Sequence, residues 1–338
     1  MSETQTLTLS SNFEVPKTLP EVQFPVKEEL NAFQPYFRKA LKTDTFLLNQ
    51  IINYMMLSKG KQMRPSLVFL CARLCGQINE SSYTAATMIE LLHTATLVHD
   101  DVVDDAETRR GLLSINRVWK NKVSVLLGDF LLSKGLLVAL DRDEFELLKV
   151  LSHAVRRMSE GELRQLKASK LLNITEEKYY NIIGDKTASL IAACTECGAI
   201  AAGADLETRT KLREIGENIG MAFQIRDDLF DYGDDDTGKP KGNDIQERKI
   251  TLPMIYALEQ VSFFERSKIK KALKKKNKSK DEIQYLLDFV RAHKGVTYAR
   301  QKMEHYANEA FSILNSFPDN QERSDLYKFL MFVIARKK

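Results

Sequence analysis

Two carboxylate-rich segments, residues 100–104 (DDVVD) and 227–231 (DDLFD), have the residue types and the spacing of a metal site. In each segment the first and last aspartates are four residues apart, about 40° around a helix axis, so they project from nearly the same face. Crowded carboxylates need a compensating cation, and ligands that offer only oxygen favour magnesium or another hard cation. Because magnesium commonly binds substrate phosphates as well, the two segments predict one shared site for metal ions and a phosphorylated substrate.

Basic side chains accompany both acidic segments. A single D-D-x-x-D string is weak, because an acidic helix surface produces it by chance, but here both follow apolar stretches typical of buried helices. Arg109 and Arg110 follow the first segment, and Lys239 and Lys249 follow the second. Guanidinium groups bind phosphate oxygens in a fork, and lysine supplies a point charge. Salt bridges explain any one acid–base pair, whereas the whole set favours a diphosphate.

Amphipathic stretches of helical period dominate the rest of the sequence. The 338 residues include only 8 Pro and 15 Gly, and few alternating runs are bounded by turn residues, which favours helices over strands. We predict an all-α, single-domain bundle of about a dozen helices over 26–338, after a disordered arm over 1–25. The predicted helices are 26–42, 45–57, 64–76, 80–103, 112–119, 122–140, 143–168, 174–202, 206–232, 250–259, 263–275, 280–292, 295–315 and 321–336.

Charge and hydropathy exclude several classes of protein. The 50 basic and 46 acidic residues give a formal charge of +4, which argues against nucleic acid as a partner. The polar, acidic start of the chain is unlike a secretory signal and predicts a cytoplasmic protein. The most apolar stretch, 123–140, is interrupted by Asp129 and Lys134. A membrane span is therefore disfavoured, and at most transient membrane contact is expected.

Two further patterns favour ordinary structural roles. The pairs Cys71/Cys75 and Cys194/Cys197 could supply four zinc ligands, but their apolar neighbours favour reduced core thiols. The segment 268–280 contains eight lysines and could contact anionic lipid. A solvated helix pair with its turn is the simpler interpretation of those lysines.

Several motifs resemble, in order, those of the trans-type isoprenyl diphosphate synthases, or polyprenyl synthetases. The aspartate-rich motifs span 99–111 (HDDVVDDAETRRG) and 223–231 (FQIRDDLFD), the second followed by 238–244. Between them lie 161–166 (GELRQL) and the pair Lys186-Thr187. The resemblance covers most of the chain. It implies an isoprenoid synthase fold around a central apolar cavity and a homodimer.

The resemblance also implies a role for each matching residue. Three magnesium ions would bridge an allylic diphosphate, with ligands from Asp100, Asp104, Asp227 and Asp231, and with support from Asp101, Asp228 and Asp244. Catalysis would depend on Asp100, Asp101, Asp104, Lys186, Asp227 and Asp228. The allylic diphosphate would be held by Arg109, Lys186, Thr187, Gln224, Lys239 and Lys249.

The second substrate implied by the resemblance, isopentenyl diphosphate, would occupy a separate basic pocket formed by Lys61, Arg64, His93 and Arg110. His93 on its own would be taken for a core histidine, but its position seven residues before the first aspartate matches the family pattern. The chain departs from the family at three positions near these groups, Lys59, Gln62 and Arg248. These departures leave open a change in affinity or in loop geometry.

The implied reaction is a head-to-tail (1'-4) condensation. Charge on the departing diphosphate is stabilised, the allylic cation is attacked by isopentenyl diphosphate, and loss of a proton completes a linear all-trans chain. In the family a bulky aromatic residue four or five positions before the first aspartate marks short products. Thr96 and Ala95 stand there, so Met88, Leu92 or the 122–140 helix would form the tunnel floor. This predicts hexaprenyl to decaprenyl diphosphate, as for quinone side chains.

Three alternatives remain open at this point. A floor residue on a neighbouring helix would make the chain a short-chain farnesyl or geranylgeranyl diphosphate synthase. A non-catalytic subunit of a heteromeric prenyl synthase would usually lose acidic motifs, and both are kept here. Terpene cyclases seldom keep both motifs together with the second basic group. The expected homodimer agrees with the stretch 123–140, which is apolar on nearly every face.

Overall fold

The computed structural model describes residues 16–57, 60–171, 174–233 and 242–335, and within them the fold is all-α as predicted. The helices are α1 Leu19–Gln23, α2 Lys27–Ala40, α3 Phe46–Leu57, α4 Met63–Cys75, α5 Glu80–Val103, α6 Ile115–Leu140, α7 Phe145–Leu171, α8 Glu176–Ile183, α9 Ser189–Ala201, α10 Leu206–Phe230, α11 Asn243–Gln246, α12 Leu252–Glu259, α13 Phe263–Lys274, α14 Lys280–Ala292, α15 Gly295–Leu314 and α16 Gln321–Ala335. A two-residue antiparallel hairpin joins α5 to α6, with β1 Thr108–Arg109 paired to β2 Leu112–Leu113.

Helices α5 and α10 occupy the centre of the bundle. Helix α5 packs against α4, α6 and α9, and α10 packs against α9 and α15. The predicted start of α5 is confirmed by its cap, since the Asn79 side chain accepts the Ser82 N–H while the Ser82 side chain bonds back to the cap. Asp205 caps α10 in the same way through the Thr208 N–H. Both central helices end at an aspartate motif, so core packing positions the acidic groups.

Three predicted boundaries were wrong. The arm was expected to be disordered to residue 25, but α1 and a short 3₁₀ turn at Phe24–Val26 fold because Val22 and Val26 are buried against α16 and α4. Residues 1–15 lie outside the described part of the chain. The predicted helix 112–119 starts at Ile115 instead, because residues 112–113 form β2. The predicted break between residues 119 and 122 is confirmed by Lys120, whose φ of 70° and ψ of 162° interrupt α6. The predicted helix 174–202 is divided by a π-helical turn at Gly184–Ala188.

Helix α6 has one buried face and one open apolar face. Leu127 and Leu131 are fully buried, whereas Leu126, Leu136 and Leu137 are about half exposed. By length and composition α6 could cross a membrane, because its apolar window tolerates two charged residues, and 39% of that window is buried in the fold. Asp129 and Lys134 therefore do not exclude a span by length and composition alone. The exposed leucines of α6 form an apolar face that no other described helix covers.

The four cysteines are free thiols in the helical core. Cys71, Cys194 and Cys197 are buried and Cys75 is partly buried. Burial raises the pKa of Cys75 to about 11 and that of Cys194 to about 12, so these thiols stay protonated and inert at neutral pH. This placement agrees with the prediction of reduced core thiols.

Candidate active site

The two aspartate motifs face one cleft between the ends of α5 and α10. Burial raises the pKa of Asp100 while Lys186 opposes the rise, which places the α5 carboxylate beside a lysine of the π-helical turn. Burial lowers the pKa of Lys249, but the carboxylates of Glu247, Asp244 and Asp104 outweigh it and raise that pKa, which places Asp104 of the first motif near the lysine that precedes α12. A cavity of about 190 Å³ is lined by Lys186, Thr187, Gln224, Asp227, Asp228, Asp244 and Lys249. Most of the predicted allylic diphosphate group is thus brought together.

A chain of hydrogen bonds fixes the second aspartate of the α10 motif. Thr187 Oγ1 donates to Gln224 Oε1 at 2.8 Å, and Gln224 Nε2 donates to Asp228 Oδ1 at 2.9 Å. Tyr179 Oη donates to the other oxygen, Asp228 Oδ2, at 2.7 Å. Burial, together with repulsion from nearby Asp244, raises the pKa of Asp228 to about 7. Asp228 therefore orients Thr187 and Gln224, while its neighbour Asp227 lines the cavity.

Tyr179 was not predicted from sequence, and its removal tests the hydrogen-bond chain. Burial gives Asp228 a pKa above its ordinary value, so the folded state holds this proton more tightly and loses stability as pH rises from about 4 to 7. Tyr179→Phe removes a donor to the carboxylate and should lower the free energy of unfolding by about 1.5–3 kcal/mol, more at pH 8 than at pH 5. Denaturant unfolding at the two pH values measures this loss.

Tyr180→Phe is the matched control for this prediction. Tyr180 Oη also donates to a carboxylate, Glu176 Oε1 at 2.8 Å, but that acid lies outside the cavity and also accepts from Tyr298. Tyr180→Phe should change activity less than threefold, whereas Tyr179→Phe should lower it about 10- to 100-fold. Equal losses of activity in the two variants would contradict the orienting role.

Asp231 caps the short helix α11. Its two carboxylate oxygens accept the backbone N–H groups of Asn243 and Asp244, at 2.8 and 3.0 Å. Its backbone oxygen accepts the Gly242 N–H at 3.0 Å. Burial, with repulsion from Asp231, raises the pKa of Asp244 to about 6, and Lys249 opposes the rise. Asp231, predicted as a metal ligand, is therefore held in a position that also brings Asp244 to the cleft.

The π-helical turn that carries Lys186 and Thr187 is held closely against α7. A Cβ at Gly161 of α7 would lie 2.8 Å from the Lys186 backbone nitrogen, so only glycine permits this approach. Lys186 Nζ donates to Gln165 Oε1 at 2.8 Å and pairs with Glu162 Oε2 at 2.5 Å. A π-helical turn of this kind is frequent at functional sites. The motif 161–166 thus serves to orient Lys186.

Arg157 ties the same turn to α7 and α10. Its guanidinium pairs with Asp185 Oδ1 at 2.8 Å and with Glu217 Oε1 at 2.6 Å, and Asp185 also pairs with Arg164. Arg157→Lys cannot bind both acids in a fork, so the turn should lose its fixed position. We expect the KM for the allylic diphosphate to rise about tenfold, with little change in the KM for the second substrate.

The control for Arg157 joins the same two helices at their far ends. Arg209 of α10 pairs with Glu146 Oε2 of α7 at 2.6 Å. Arg209→Lys should leave both KM values within about twofold, because its partner Glu146 is largely exposed and the pair lies away from the cleft. Steady-state kinetics with each substrate varied in turn measures both variants. A parallel rise of both KM values in Arg157→Lys would indicate general loosening instead.

The predicted second basic group also converges. Lys61, Arg64, His93 and Arg110 line one cavity of about 800 Å³. Burial, with the neighbouring arginines, holds the pKa of His93 well below its usual range, so the imidazole is neutral. Burial likewise raises the pKa of Glu90, which lines this cavity between Arg64 and Arg110 and was not predicted from sequence. The cavity can receive an anion at the arginines.

Arg109 lies with the second group as well. It lines the 800 Å³ cavity, and its Nε donates to Asp101 Oδ1 at 2.9 Å across the turn from α5 to β1. The following residues Arg110 and Gly111 adopt left-handed φ values of 51° and 80°, which close the hairpin. Asp101 therefore holds an arginine in this structure. Lys59 and Lys239, named from sequence, lie outside the described residues.

The departures Gln62 and Arg248 both have left-handed backbone, with φ values of 49° and 62°. The buried Gln62 Nε2 has no hydrogen-bond partner among the described residues. Arg248 sits in the turn that leads to Lys249, where glycine would adopt this conformation at less cost. Lys249 nevertheless reaches the 190 Å³ cavity and pairs with Glu247 Oε2 at 2.6 Å. The loss of glycine has not displaced the lysine.

A third cavity, of about 310 Å³, is lined almost wholly by apolar groups. Its walls are Met88 and Leu92 of α5, Leu132, Gly135 and Leu136 of α6, and Leu148, Leu151, Ser152, Val155 and Arg156 of α7. At 1.5 Å rise per residue, Leu92 lies about 12 Å along α5 from Asp100. Ala95 and Thr96 occupy the turn between them, and Ala95 is fully buried. The predicted chain-length residues therefore lie on the line from the aspartates to this cavity.

The carboxylates of the cleft fit a hard cation. Burial raises the pKa of Asp100, Asp228, Asp231 and Asp244, and the C-terminal ends of α5 and α10 add negative dipole ends. Among the described residues, no three His, Cys, Asp or Glu side chains converge closely enough to hold an ion alone. Magnesium usually takes one or two carboxylates and completes its shell with phosphate and water, so these residues fit magnesium bound together with a diphosphate.

These features define a class of enzyme. Acidic groups end two central helices, lysines lie between them, and a separate basic cavity adjoins, which suits two phosphorylated substrates bound side by side. The sequence profile of the polyprenyl synthetase family matches residues 45–290. The chain belongs to the polyprenyl synthetase family.

Individual relatives agree with this assignment. The octaprenyl diphosphate synthase of Escherichia coli is 35% identical over 298 residues, which cover 88% of this chain and 92% of the relative. A polyprenyl synthase of Caulobacter crescentus, solved with calcium and isoprenyl diphosphate, is 30% identical with a TM-score of 0.86 over 96% of this chain and all of the other. A geranylgeranyl pyrophosphate synthase of Bacteroides thetaiotaomicron is 37% identical with a TM-score of 0.79, covering 94% and 99%. The relatives thus include both a long-chain and a short-chain synthase.

Proposed function

We propose that this chain condenses isopentenyl diphosphate with an allylic diphosphate to make a linear all-trans polyprenyl diphosphate. The observation that carries the proposal is the pair of separate basic groups, one facing the aspartate motifs and one in the 800 Å³ cavity. The two groups meet at the end of α5, where His93 and Asp100 are about 10 Å apart along the helix. Two anionic substrates can therefore approach each other.

The chain's own residues orient both substrates. Lys186, held by Gln165 and Glu162, supplies positive charge where the allylic diphosphate departs, and Thr187 and Gln224 are fixed by Asp228. Magnesium ions, when bound at Asp100, Asp104 and Asp227, supply further charge stabilisation to that leaving group. The neutral His93 donates or accepts a hydrogen bond without adding charge beside the arginines. The proton lost after condensation passes to the released diphosphate.

The structure favours a long product over the short-chain alternative. Ala95 and Thr96 have small side chains that leave the path down α5 open, and the apolar cavity at Met88 and Leu92 continues it. A chain of hexaprenyl to decaprenyl length would be directed along this path between α5, α6 and α7. The octaprenyl relative supports this length, and a quinone side chain is a fitting end product.

Magnesium dependence, a homodimer and a cytoplasmic location belong to the same proposal. The open apolar face of α6 supports pairing with a second copy, because half-exposed leucines over several turns would be covered there. A heteromeric partner would cover the same face. Analytical ultracentrifugation of the purified chain alone distinguishes these, and a monomer would argue for a missing partner.

One incubation tests the reaction itself. The full chain is mixed with farnesyl diphosphate, labelled isopentenyl diphosphate and magnesium, and products are separated by chain length. We expect linear products longer than geranylgeranyl, abolished by chelation, and a rise in the unfolding temperature with magnesium and inorganic diphosphate together. A cyclic hydrocarbon, or no product despite a stabilised fold, would contradict the proposal.

A further inference from the structure

Helix α13 has one face in the core and an opposite face that carries aromatic and basic side chains. Ile269 and Leu273 are fully buried, whereas Phe263 and Phe264 in the first turn are 79% and 85% exposed. At about 100° per residue, the two rings share their side of the helix with three exposed lysines. This outer face of α13 consists of Phe263, Phe264, Lys268, Lys271 and Lys274.

The surface around this face holds the largest local charge of the chain. The segment 263–285 contains nine basic and three acidic residues, a formal charge of +6, compared with +4 for the whole chain. Glu282 is already engaged by Lys275 Nζ at 2.7 Å and by the Ser279 N–H at 2.8 Å. Within the described part of the chain, Lys271, Lys274 and Lys276 form no ion pair. The positive charge is therefore uncompensated by nearby acids.

The aromatic residues decide what this surface suits. A solvated helix accounts for the lysines, but it gives no reason for two neighbouring phenylalanines to point into water. Tyr285 of α14, half exposed with Lys268 Nζ 6.0 Å from its ring centre, extends the same mixed surface. Apolar rings beside long cationic side chains are the composition of helices that lie in a membrane interface.

We propose that the outer face of α13 docks this protein on the surface of an anionic lipid bilayer. Phe263 and Phe264 would enter the boundary between headgroups and acyl chains, and Lys268, Lys271 and Lys274 would pair with lipid phosphates. The inner face of α13 stays in the core, so docking needs no unfolding. This surface is separate from the open apolar face of α6 and goes beyond the proposed condensation.

Vesicle flotation with the full chain tests the proposal. The protein should bind vesicles of phosphatidylcholine mixed with phosphatidylglycerol, should ignore phosphatidylcholine alone, and should be released by raised salt. Lys268→Gln/Lys271→Gln/Lys274→Gln should weaken binding on the order of 100-fold, about fivefold for each lysine. Phe263→Ser/Phe264→Ser should weaken it at least about tenfold. Condensation measured in solution should be unchanged in both variants.

Two control variants make the same kinds of substitution at positions outside α13. Lys27→Gln/Lys39→Gln/Lys149→Gln removes the same charge from exposed positions elsewhere, and Leu206→Ser removes an apolar residue that is 74% exposed. Both should bind vesicles like the wild type. Equal weakening by the controls, or no binding of the wild type to anionic vesicles, would overturn the proposal. Retention on heparin without vesicle binding would also overturn it, in favour of another polyanion.

Discussion

Asp100→Asn is expected to lower condensation activity by about 100- to 1,000-fold while leaving the fold as stable as before or more stable. The carboxylate stands at the negative end of α5, burial raises its pKa, and Glu162 and Asp104 repel its charge. An amide of the same shape removes that repulsion, so the free energy of unfolding should not fall. It also removes the charge that a cation and a departing diphosphate require. The aspartate thus serves function at the expense of stability.

Asp105→Asn is the matched control. Asp105 belongs to the same acidic run but is exposed and has a left-handed φ of 50°, which asparagine tolerates. Its activity should stay within about threefold of the wild type, because an exposed charge outside the cleft is screened by solvent. Rates at saturating magnesium and thermal unfolding measure both variants. The site assignment fails if Asp100→Asn keeps a third of wild-type activity, or if Asp105→Asn loses as much.

Ala95→Tyr is expected to shorten the product to about farnesyl or geranylgeranyl length. Ala95 is fully buried between the aspartates and the 310 Å³ cavity, so a phenol ring there would close the path. Overpacking should cost about 1–3 kcal/mol of stability. Gly135→Phe provides an independent test from the opposite wall, since a Cβ there meets only ordinary contacts, 3.8 Å to Leu91. It should shorten the product less, because it lies deeper.

Thr94→Tyr is the control for product length. Thr94 neighbours Ala95 on α5 but lines a different cavity, of about 410 Å³, towards α2 and α3. Its product should keep the wild-type length even if substrate affinity falls. Chromatography of labelled products compares the variants. Full-length product from both Ala95→Tyr and Gly135→Phe would refute the tunnel assignment.

Local patterns predicted most of the helices and the acidic motifs, because these depend on neighbours within a few residues. The start of α5 was predictable from the capping residue Asn79. Its end was predictable from the aspartate motif, whose carboxylates need a cation if they are to be buried. The break at Lys120 falls between the predicted helices 112–119 and 122–140, whereas the hairpin before α6 was missed because strands of two residues are too short to show an alternating pattern. Similarly, apolar residues such as Val22 gave no sign that the arm would dock on α16.

The site was predictable where a motif is contiguous and not where it depends on distant contacts. Tyr179 and Asp228 are 49 positions apart, and a lone tyrosine on an amphipathic helix is taken for core. Arg157 joins Asp185 to Glu217, which is 60 positions from it. Gly161 offered the one available signal, since a glycine inside a helical pattern often marks close approach of another backbone.

The cap made by Asp231 has a consequence for how the chain tolerates change. Its carboxylate and backbone oxygen bind the N–H groups of residues 242–244, so Asp231 and the start of α11 are held together at one point of the fold. The distance between positions 231 and 242 is set by these hydrogen bonds and does not depend on the number of residues between them. Doubling a closed loop adds only about 0.6 kcal/mol of closure entropy. A longer connection between positions 233 and 242 should therefore cost the fold little free energy, provided that Lys239 is kept.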